Sequence, residues 1–278
     1  MVNPIEVILI LTLMIIVGYF LKRNNILKVK DSTTLSKVVI NISMPSLIFV
    51  NLSTAHIHSE MVLLPVFAFG VSMVCMLFAY LFSKVRGYSK VKTWTLMMAS
   101  SMLNSGFIGF PIVIGVFGKE GFLNAIFYDL APTTIFIMFG MILAGKVGGN
   151  KKTVLKNGLK FVPLWAVVLG LLCNLSHIQI GNVLYNVFTY FGNSTIPLIM
   201  LALGLTLDFK EIRKYIKDSL FVSGLRLVLS PILMFTLLSM LNIHGMAFNV
   251  AVLEAGMSTS MNALVLSISY NLEDKLMS

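Results

Sequence analysis

The chain has 278 residues, of which 57% are hydrophobic and 12% charged, with a net charge of +10. A soluble domain carries about 25% charged residues, so this composition excludes a soluble globular fold, which would have too little polar surface to face water. The basic residues lie in short clusters between long apolar runs, not on a basic face interleaved with aromatic residues. This pattern argues against a nucleic-acid partner and predicts a lipid bilayer as the surrounding medium.

Apolar runs of about 20 residues, the length that crosses a bilayer as a helix, follow one another along the chain. We count nine such runs, at approximately 3–21, 32–53, 61–83, 93–117, 122–145, 161–177, 183–206, 218–241 and 246–270. The runs are continuously apolar and do not alternate, which favours helices over a closed barrel. The sequence therefore predicts an all-α polytopic membrane protein with nine spans.

The distribution of positive charge predicts the orientation of these spans. Of the 21 lysines and arginines, all but Lys119 and Arg226 lie in or beside the loops after the first, third, fifth and seventh runs, or follow the ninth. Because basic loops remain in the cytoplasm, the N-terminus is expected outside. The predicted location is the cell (plasma) membrane, with multiple passes.

A short motif occurs twice, at corresponding places in the two parts of the chain. Asn41–Pro45 in the second run and Asn193–Pro197 in the seventh both read N-x-[ST]-x-P. The copies lie five helices apart and so run in opposite directions, as in the inverted repeats of many secondary transporters. We predict a first repeat at 1–145 (helices 1–5) and a second at 146–278 (helices 6–9). A five-plus-five repeat also predicts a tenth helix after Ser278, which this sequence does not include.

Small, polar and helix-breaking residues crowd the centres of the fourth and ninth runs, and two interpretations are open. Such breaks expose backbone groups near mid-membrane and form solute sites in transporters, or small residues let helices pack closely. On the first interpretation the candidate substrate-binding residues are Asn104, Ser105, Gly106, Gly109, Pro111, Gly256, Ser258, Thr259, Ser260 and Asn262, with Asn41 and Asn193 from the repeated motif. The predicted helix breaks are at Pro45, Pro111, Pro197 and Gly256, although each proline is also compatible with an ordinary kink.

Three ionisable residues lie well inside the apolar runs, where a charge is costly and by default marks a functional candidate. They are Asp129 in the fifth run, Arg226 in the eighth and Glu254 in the ninth. We predict that Arg226 and Glu254 are neighbours that neutralise each other. The pair could form an anion site, a proton-linked switch shared with Asp129, or a purely structural ion pair.

The assembled motifs resemble the auxin efflux carrier family, which includes plant auxin carriers and prokaryotic malate and malonate carriers. The resemblance is carried by NISMPSLIF at 41–49, NSGFIGFPI at 104–112, STIPLIMLALGLTL at 194–207 and the segment from Glu254 to the end. It implies two inverted five-helix repeats, with broken helices 4 and 9 crossing near the substrate. It also implies a scaffold of helices 1, 2, 6 and 7, an elevator-type transport domain of helices 3, 4, 5, 8 and 9, and a homodimer. In the second crossing, glycine and serine stand where many family members have proline.

The expected function is secondary active transport of a small organic anion, such as an auxin-like acid or a dicarboxylate, bound where helices 4 and 9 cross. Either H+ or Na+ is expected as the coupling ion, and the direction of transport is left open. The alternative is a channel or a solute-sensing membrane receptor. An enzyme is not expected, because no second mid-membrane aspartate accompanies Asp129 and no Gly-x-Ser-x-Gly or His-Glu-x-x-His motif occurs. No cofactor or metal site is predicted.

Overall fold

The computed structural model describes residues 3–146, 158–207, 216–270 and 272. In chain order the α-helices are α1 (Pro4–Arg23), α2 (Val29–Val38), α3 (Met44–Ser53), α4 (Ser59–Val85), α5 (Lys90–Ser101), α6 (Phe110–Lys146), α7 (Val162–Leu175), α8 (Asn182–Asn193), α9 (Thr195–Thr206), α10 (Ile216–Gly224), α11 (Ser230–Met240), α12 (Gly245–Ala255) and α13 (Met261–Ser269). No β-strand occurs in these residues, which confirms the predicted all-α polytopic fold.

The described residues divide into two compact units. Unit 1 takes residues 3–57, 114–119 and 159–207, and therefore the helices of predicted runs 1, 2, 6 and 7. Unit 2 takes residues 58–113, 120–146, 158, 216–270 and 272, which belong to runs 3, 4, 5, 8 and 9. Each unit thus draws on both predicted repeats, and the repeat boundaries at 145 and 146 stay a prediction.

Unit 1 is held together by helices that approach closely at glycines. A methyl group at Gly18 on α1 would overlap the backbone of α9, and one at Gly204 on α9 would overlap the carbonyl oxygen of Ile15. Gly170 on α7 likewise faces Leu52 of α3. Small residues of this kind bring helix backbones together where a bilayer supplies little hydrophobic driving force between helices.

Unit 2 packs around a core of small and aliphatic side chains. Leu64 and Ala68 of α4, Met234 of α11 and Ala251 of α12 are fully buried in one cluster with Leu103.

The long α6 is interrupted at Gly118, whose φ of 64° and ψ of −155° are available essentially to glycine alone. This glycine separates the end of the predicted fourth run from the fifth.

Three widened π-helical turns occur in the described chain, and each ends two residues before a proline. They cover Val39–Ser43 before Pro45, Ser105–Gly109 before Pro111, and Leu225–Leu229 before Pro231. Proline has no N–H and clashes with the carbonyl four residues earlier, so a wider turn relieves both conflicts. At Pro45 the predicted break is therefore a widened turn within a continuous span, and at Pro111 the interruption lies further upstream.

Among the described residues, six helices are long and apolar enough to cross a membrane. Two shorter apolar helices, Val162–Leu175 and Gly245–Ala255, accompany them. The predicted fourth and ninth runs are interrupted, so neither forms one long helix of its own. The expected count of nine spans therefore stays a prediction.

Candidate functional site

Two helices of unit 2 are broken at the places where small and polar residues crowd the sequence. Helix α5 ends at Ser101, and Met102 and Asn104 leave helical geometry, with φ/ψ of −94°/109° and −96°/56°. Helix α12 ends at Ala255, Gly256 is its C-cap, and α13 begins only at Met261. Each break is a short extended segment between two helical pieces.

The two extended segments pair with each other as a minimal antiparallel ladder. The backbone N–H of Asn104 donates to the carbonyl of Ser258 at 2.9 Å, and that of Ser260 donates to the carbonyl of Met102 at 2.9 Å. Leu103 and Thr259 form the bridge between them. The ladder satisfies backbone groups that the breaks release, which is necessary for irregular backbone at membrane depth.

Side chains of the ladder also cap the adjoining helix ends. The Thr259 hydroxyl donates to the carbonyl of Ala99 in the last turn of α5 at 2.8 Å. The Ser260 hydroxyl accepts from the N–H of Asn262 at 3.1 Å and so caps the start of α13. The helical segments that begin at Ser105 and Met261 both start at this crossing. Helix starts carry partial positive charge, and two of them meet here, although at α13 the N–H groups of Asn262 and Ala263 already bond Ser260.

Arg226 donates hydrogen bonds to the opposite, C-terminal ends of both broken helices, and we call this arrangement the arginine clamp. Its guanidinium is 1% exposed and donates to the carbonyls of Ser100 at 3.4 Å and Ala255 at 3.3 Å, in the last turns of α5 and α12. It also donates to the carbonyl of Met257 at 3.3 Å and to the Ser230 hydroxyl at 3.5 Å. A cation at a helix C-terminus is favoured by roughly 0.3–2 kcal/mol, and this one serves two such ends.

Glu254 lies beside the arginine clamp but forms no hydrogen bond with Arg226. Its side chain is fully buried, and neither carboxylate oxygen has a hydrogen-bond partner among the described residues. The expected neutralisation by Arg226 is therefore not observed: the guanidinium bonds the carbonyl of Ala255, next along the chain, and leaves the carboxylate alone. The physical reason is that orphan carbonyls at two helix ends take up the donors of Arg226.

The carboxyl group of Glu254 lies against Gly109. A methyl group added at Gly109 would overlap both carboxylate oxygens, so any larger residue there would force the buried Glu254 side chain to move. Gly109 was predicted to contact substrate because it lies in the broken fourth run. In the structure it contacts an acidic side chain of the other broken helix, and its contact with substrate stays a prediction.

Asp129 lies on α6, half-buried, and accepts a hydrogen bond from the hydroxyl of Ser105. Through Ser105 it is joined to the turn Ser105–Gly109, on which Glu254 lies. The three ionisable residues singled out from the sequence therefore all lie around one crossing within unit 2.

The predicted substrate-binding residues of the crossing differ in their accessibility. Ser258 is exposed, and Gly106, Gly256, Thr259 and Asn262 are half-buried. Asn104, Ser105, Gly109, Pro111 and Ser260 are buried. The first group therefore contains the accessible candidate residues of the crossing.

The residues of the repeated motif cluster in unit 1. Asn41 is exposed and donates to the carbonyl of Lys37 one turn earlier, and Asn193 is the exposed last residue of α8. The two motif copies are joined through the hydroxyls of Ser43 and Ser194, 2.9 Å apart. Pro197 lies in the first turn of α9, where no N–H is required of it.

Three residues around Arg226 were not singled out from the sequence as site residues. Ser230 follows Arg226 by one helical turn, and that spacing could have identified it. Ser100 belongs to the polar stretch of the fourth run but takes part through its backbone carbonyl, and Cys75 gave no such indication. The buried Cys75 thiol donates to the carbonyl of Leu225 at 3.9 Å, beside the arginine.

Comparisons with known proteins are consistent along the whole chain. A family model described as "Membrane transport protein" matches residues 4–278. An uncharacterized transporter of Methanothermobacter thermautotrophicus is 39% identical over 275 residues, covering 98% of this chain and 91% of that protein. An uncharacterized transporter of Methanocaldococcus jannaschii is 33% identical over 282 residues, with the same coverage.

Proposed function

This chain belongs to the auxin efflux carrier family of membrane transport proteins, and on that premise we propose that it is a secondary active transporter of a small organic anion. The proposed solute is a carboxylate, bound at the ladder between residues 102–104 and 258–260. The observation that carries this proposal is the meeting of two helix starts, at Ser105 and Met261, beside accessible amide and hydroxyl side chains. Helix N-termini favour anions through their dipoles and through those N–H groups that have no partner within the helix.

The division into two units supports an elevator-type mechanism. The whole crossing belongs to unit 2, whereas unit 1 contains the close-packed glycine contacts of α1 with α9. We propose that unit 2 carries the solute and unit 1 remains as the scaffold. The proposal includes a plasma-membrane location, an external N-terminus, a homodimer, and H+ or Na+ as the coupling ion.

The test is uptake into liposomes that contain the purified protein. The panel comprises labelled indole-3-acetate, malate and malonate, each measured with empty vesicles as background. Saturable uptake of one acid, competed by the unlabelled acid, is the expected result. A linear flux without selectivity would instead identify a channel, and binding without flux would identify a receptor.

A matched pair of substitutions examines the site itself. Asn262→Asp adds a negative charge in the first turn of α13, which suits the helix dipole but repels an anionic solute. We expect the KM to rise by about tenfold or more, which corresponds to ~1.4 kcal/mol of lost binding. Asn182→Asp makes the same change at the exposed start of α8 in unit 1 and should leave KM unchanged. Equal effects of both variants would remove Asn262 from the solute site.

A further inference from the structure

We propose that Glu254 is the binding site of a coupling proton, carried by unit 2 with the solute. This inference deepens the proposed transport function and rests on it. Its starting point is a fully buried carboxyl group whose two oxygens have no hydrogen-bond partner among the described residues. Native structures satisfy the large majority of buried polar side-chain atoms, so such a group calls for an explanation.

The described elements that pack against α12 place no positively charged side chain against Glu254. Helix α12 packs against α4, α11 and the turn Ser105–Gly109. Neither α11 nor that turn carries a charged side chain, and α4 contributes Cys75 to this part of unit 2. From α6 come Tyr128, in the same buried cluster, and Asp129, which accepts a hydrogen bond from Ser105, and neither of them can supply a positive charge.

Among the described residues, Arg226 is the cation at the crossing, and its donors are already engaged. Arg226 is committed to three backbone carbonyls and the Ser230 hydroxyl, and it does not bond the carboxylate. An isolated buried carboxylate is strongly disfavoured, and binding one proton removes its charge without adding a heavy atom. Glu254 therefore holds a proton in the conformation described here.

The position of Glu254 connects its proton to the crossing. The carboxyl group lies on Gly109, in the turn that follows the ladder, and it belongs to the last turn of α12, which precedes the ladder. Loss of the proton would create an unpaired charge between the two broken helices. Protonation of Glu254 thus decides whether this packing of the crossing is stable.

The test measures proton movement together with solute movement in liposomes whose membrane potential is clamped. For wild type, a gradient of one pH unit should support up to about a tenfold accumulation of labelled malonate or indole-3-acetate above that of empty vesicles, for one proton per solute. Uptake should also shift the signal of an internal pH dye. Glu254→Gln, which mimics the neutral acid but cannot release a proton, should return the accumulation ratio to about one and abolish the dye signal. Glu60→Gln, an exposed acid at the start of α4, should behave as wild type.

Several results would overturn the proposal. Uptake by wild type without proton movement, accumulation driven by a sodium gradient at equal pH, or retention of pH-driven accumulation by Glu254→Gln each would do so. If Glu254→Gln does not fold, Glu254→Asp replaces it and should keep proton coupling, whereas an uncoupled aspartate variant contradicts the proposal.

Infrared spectroscopy of the purified protein separates this inference from the proposed function. A protonated carboxylic acid band should be present in wild type at neutral pH, absent in Glu254→Gln and displaced in Glu254→Asp. Failure of wild type to transport any acid would defeat the proposed function while this band still decides the state of Glu254. Absence of the band from wild type would show that Glu254 holds no proton.

Discussion

Arg226 illustrates how one side chain joins two broken helices. Its planar guanidinium has five donors in a fixed geometry, and it reaches carbonyls at the ends of both α5 and α12. A lysine would keep the positive charge near both helix ends but could not span the same acceptors. Arg226 is therefore a positioning residue whose geometry matters in addition to its charge.

We predict that Arg226→Lys lowers the apparent unfolding temperature of the purified protein by about 5 °C or more. Hydrogen bonds from a charged donor contribute about 1.5–3 kcal/mol each, and we expect the substitution to lose at least one of them. The measurement is thermal unfolding followed by tryptophan fluorescence in detergent. Arg23→Lys, at the exposed last residue of α1, is the control and should leave the temperature unchanged. Equal unfolding temperatures of the two variants would show that the hydrogen bonds of the arginine clamp do not stabilise the protein.

A second prediction concerns the contact between Gly109 and Glu254. Gly109→Ala should slow transport by about tenfold or more, because the new methyl group overlaps the carboxylate and overpacking costs about 1–3 kcal/mol. Shortening the acid in the double variant Gly109→Ala with Glu254→Asp should restore part of the rate. Gly70→Ala adds a methyl group where no atom lies within 4 Å, and we expect it to be neutral. Absence of rescue would indicate that Gly109 acts independently of Glu254.

At the scale of elements, the breaks and the widened turns have different causes. A turn of π-helix precedes Pro45, Pro111 and Pro231, so proline widens these helices without interrupting them. The interruptions at Met102–Asn104 and Gly256–Ser260 instead persist because each segment finds a backbone partner in the other. Two breaks that pair with each other are therefore one structural feature.

The packing of α1 against α9 gives a prediction at this scale. Gly204→Ala should destabilise unit 1 by about 1–3 kcal/mol, because the methyl group overlaps the backbone of α1. The decrease in apparent unfolding temperature can be measured in detergent, with Gly224→Ala as the control because open space surrounds that glycine. A decrease of the same size in both variants would show that the effect is not caused by helix packing.

At the scale of the whole molecule, the described chain consists of two compact units, each assembled from both predicted repeats. Unit 2 contains the ladder, the arginine clamp and the three ionisable residues of the crossing. A transporter that moves one unit would therefore carry its complete candidate site in that unit, which is the physical basis of the elevator proposal.

The predicted orientation can be tested on intact cells. In a background with Cys75→Ala and Cys173→Ala, a single cysteine at the exposed position of Glu60 should react with a membrane-impermeant thiol reagent added outside. A single cysteine at the exposed position of Lys90 should react only after the cells are permeabilised. The opposite pattern would reverse the orientation derived from the basic loops.

Fold class and the places of the two breaks were accessible from the sequence for a local reason. Continuous apolar runs leave only helices as membrane spans, and clustered Gly, Ser and Asn disfavour a helix wherever they occur. The family was equally accessible, since its motifs occur in order along the chain. These properties depend on residues that are neighbours in sequence.

Contacts within the site join segments that are distant in sequence, so the sequence alone could not predict them. The sequence pattern placed Arg226 opposite Glu254 as an ion pair, whereas the fold brings it to carbonyls of Ser100, Ala255 and Met257. Every residue has a backbone carbonyl, so the sequence does not distinguish one carbonyl from another. Only the folded chain shows which carbonyls at the helix ends lack a hydrogen-bond donor within the helix. The unpartnered state of Glu254 and its contact with Gly109 follow from that same arrangement.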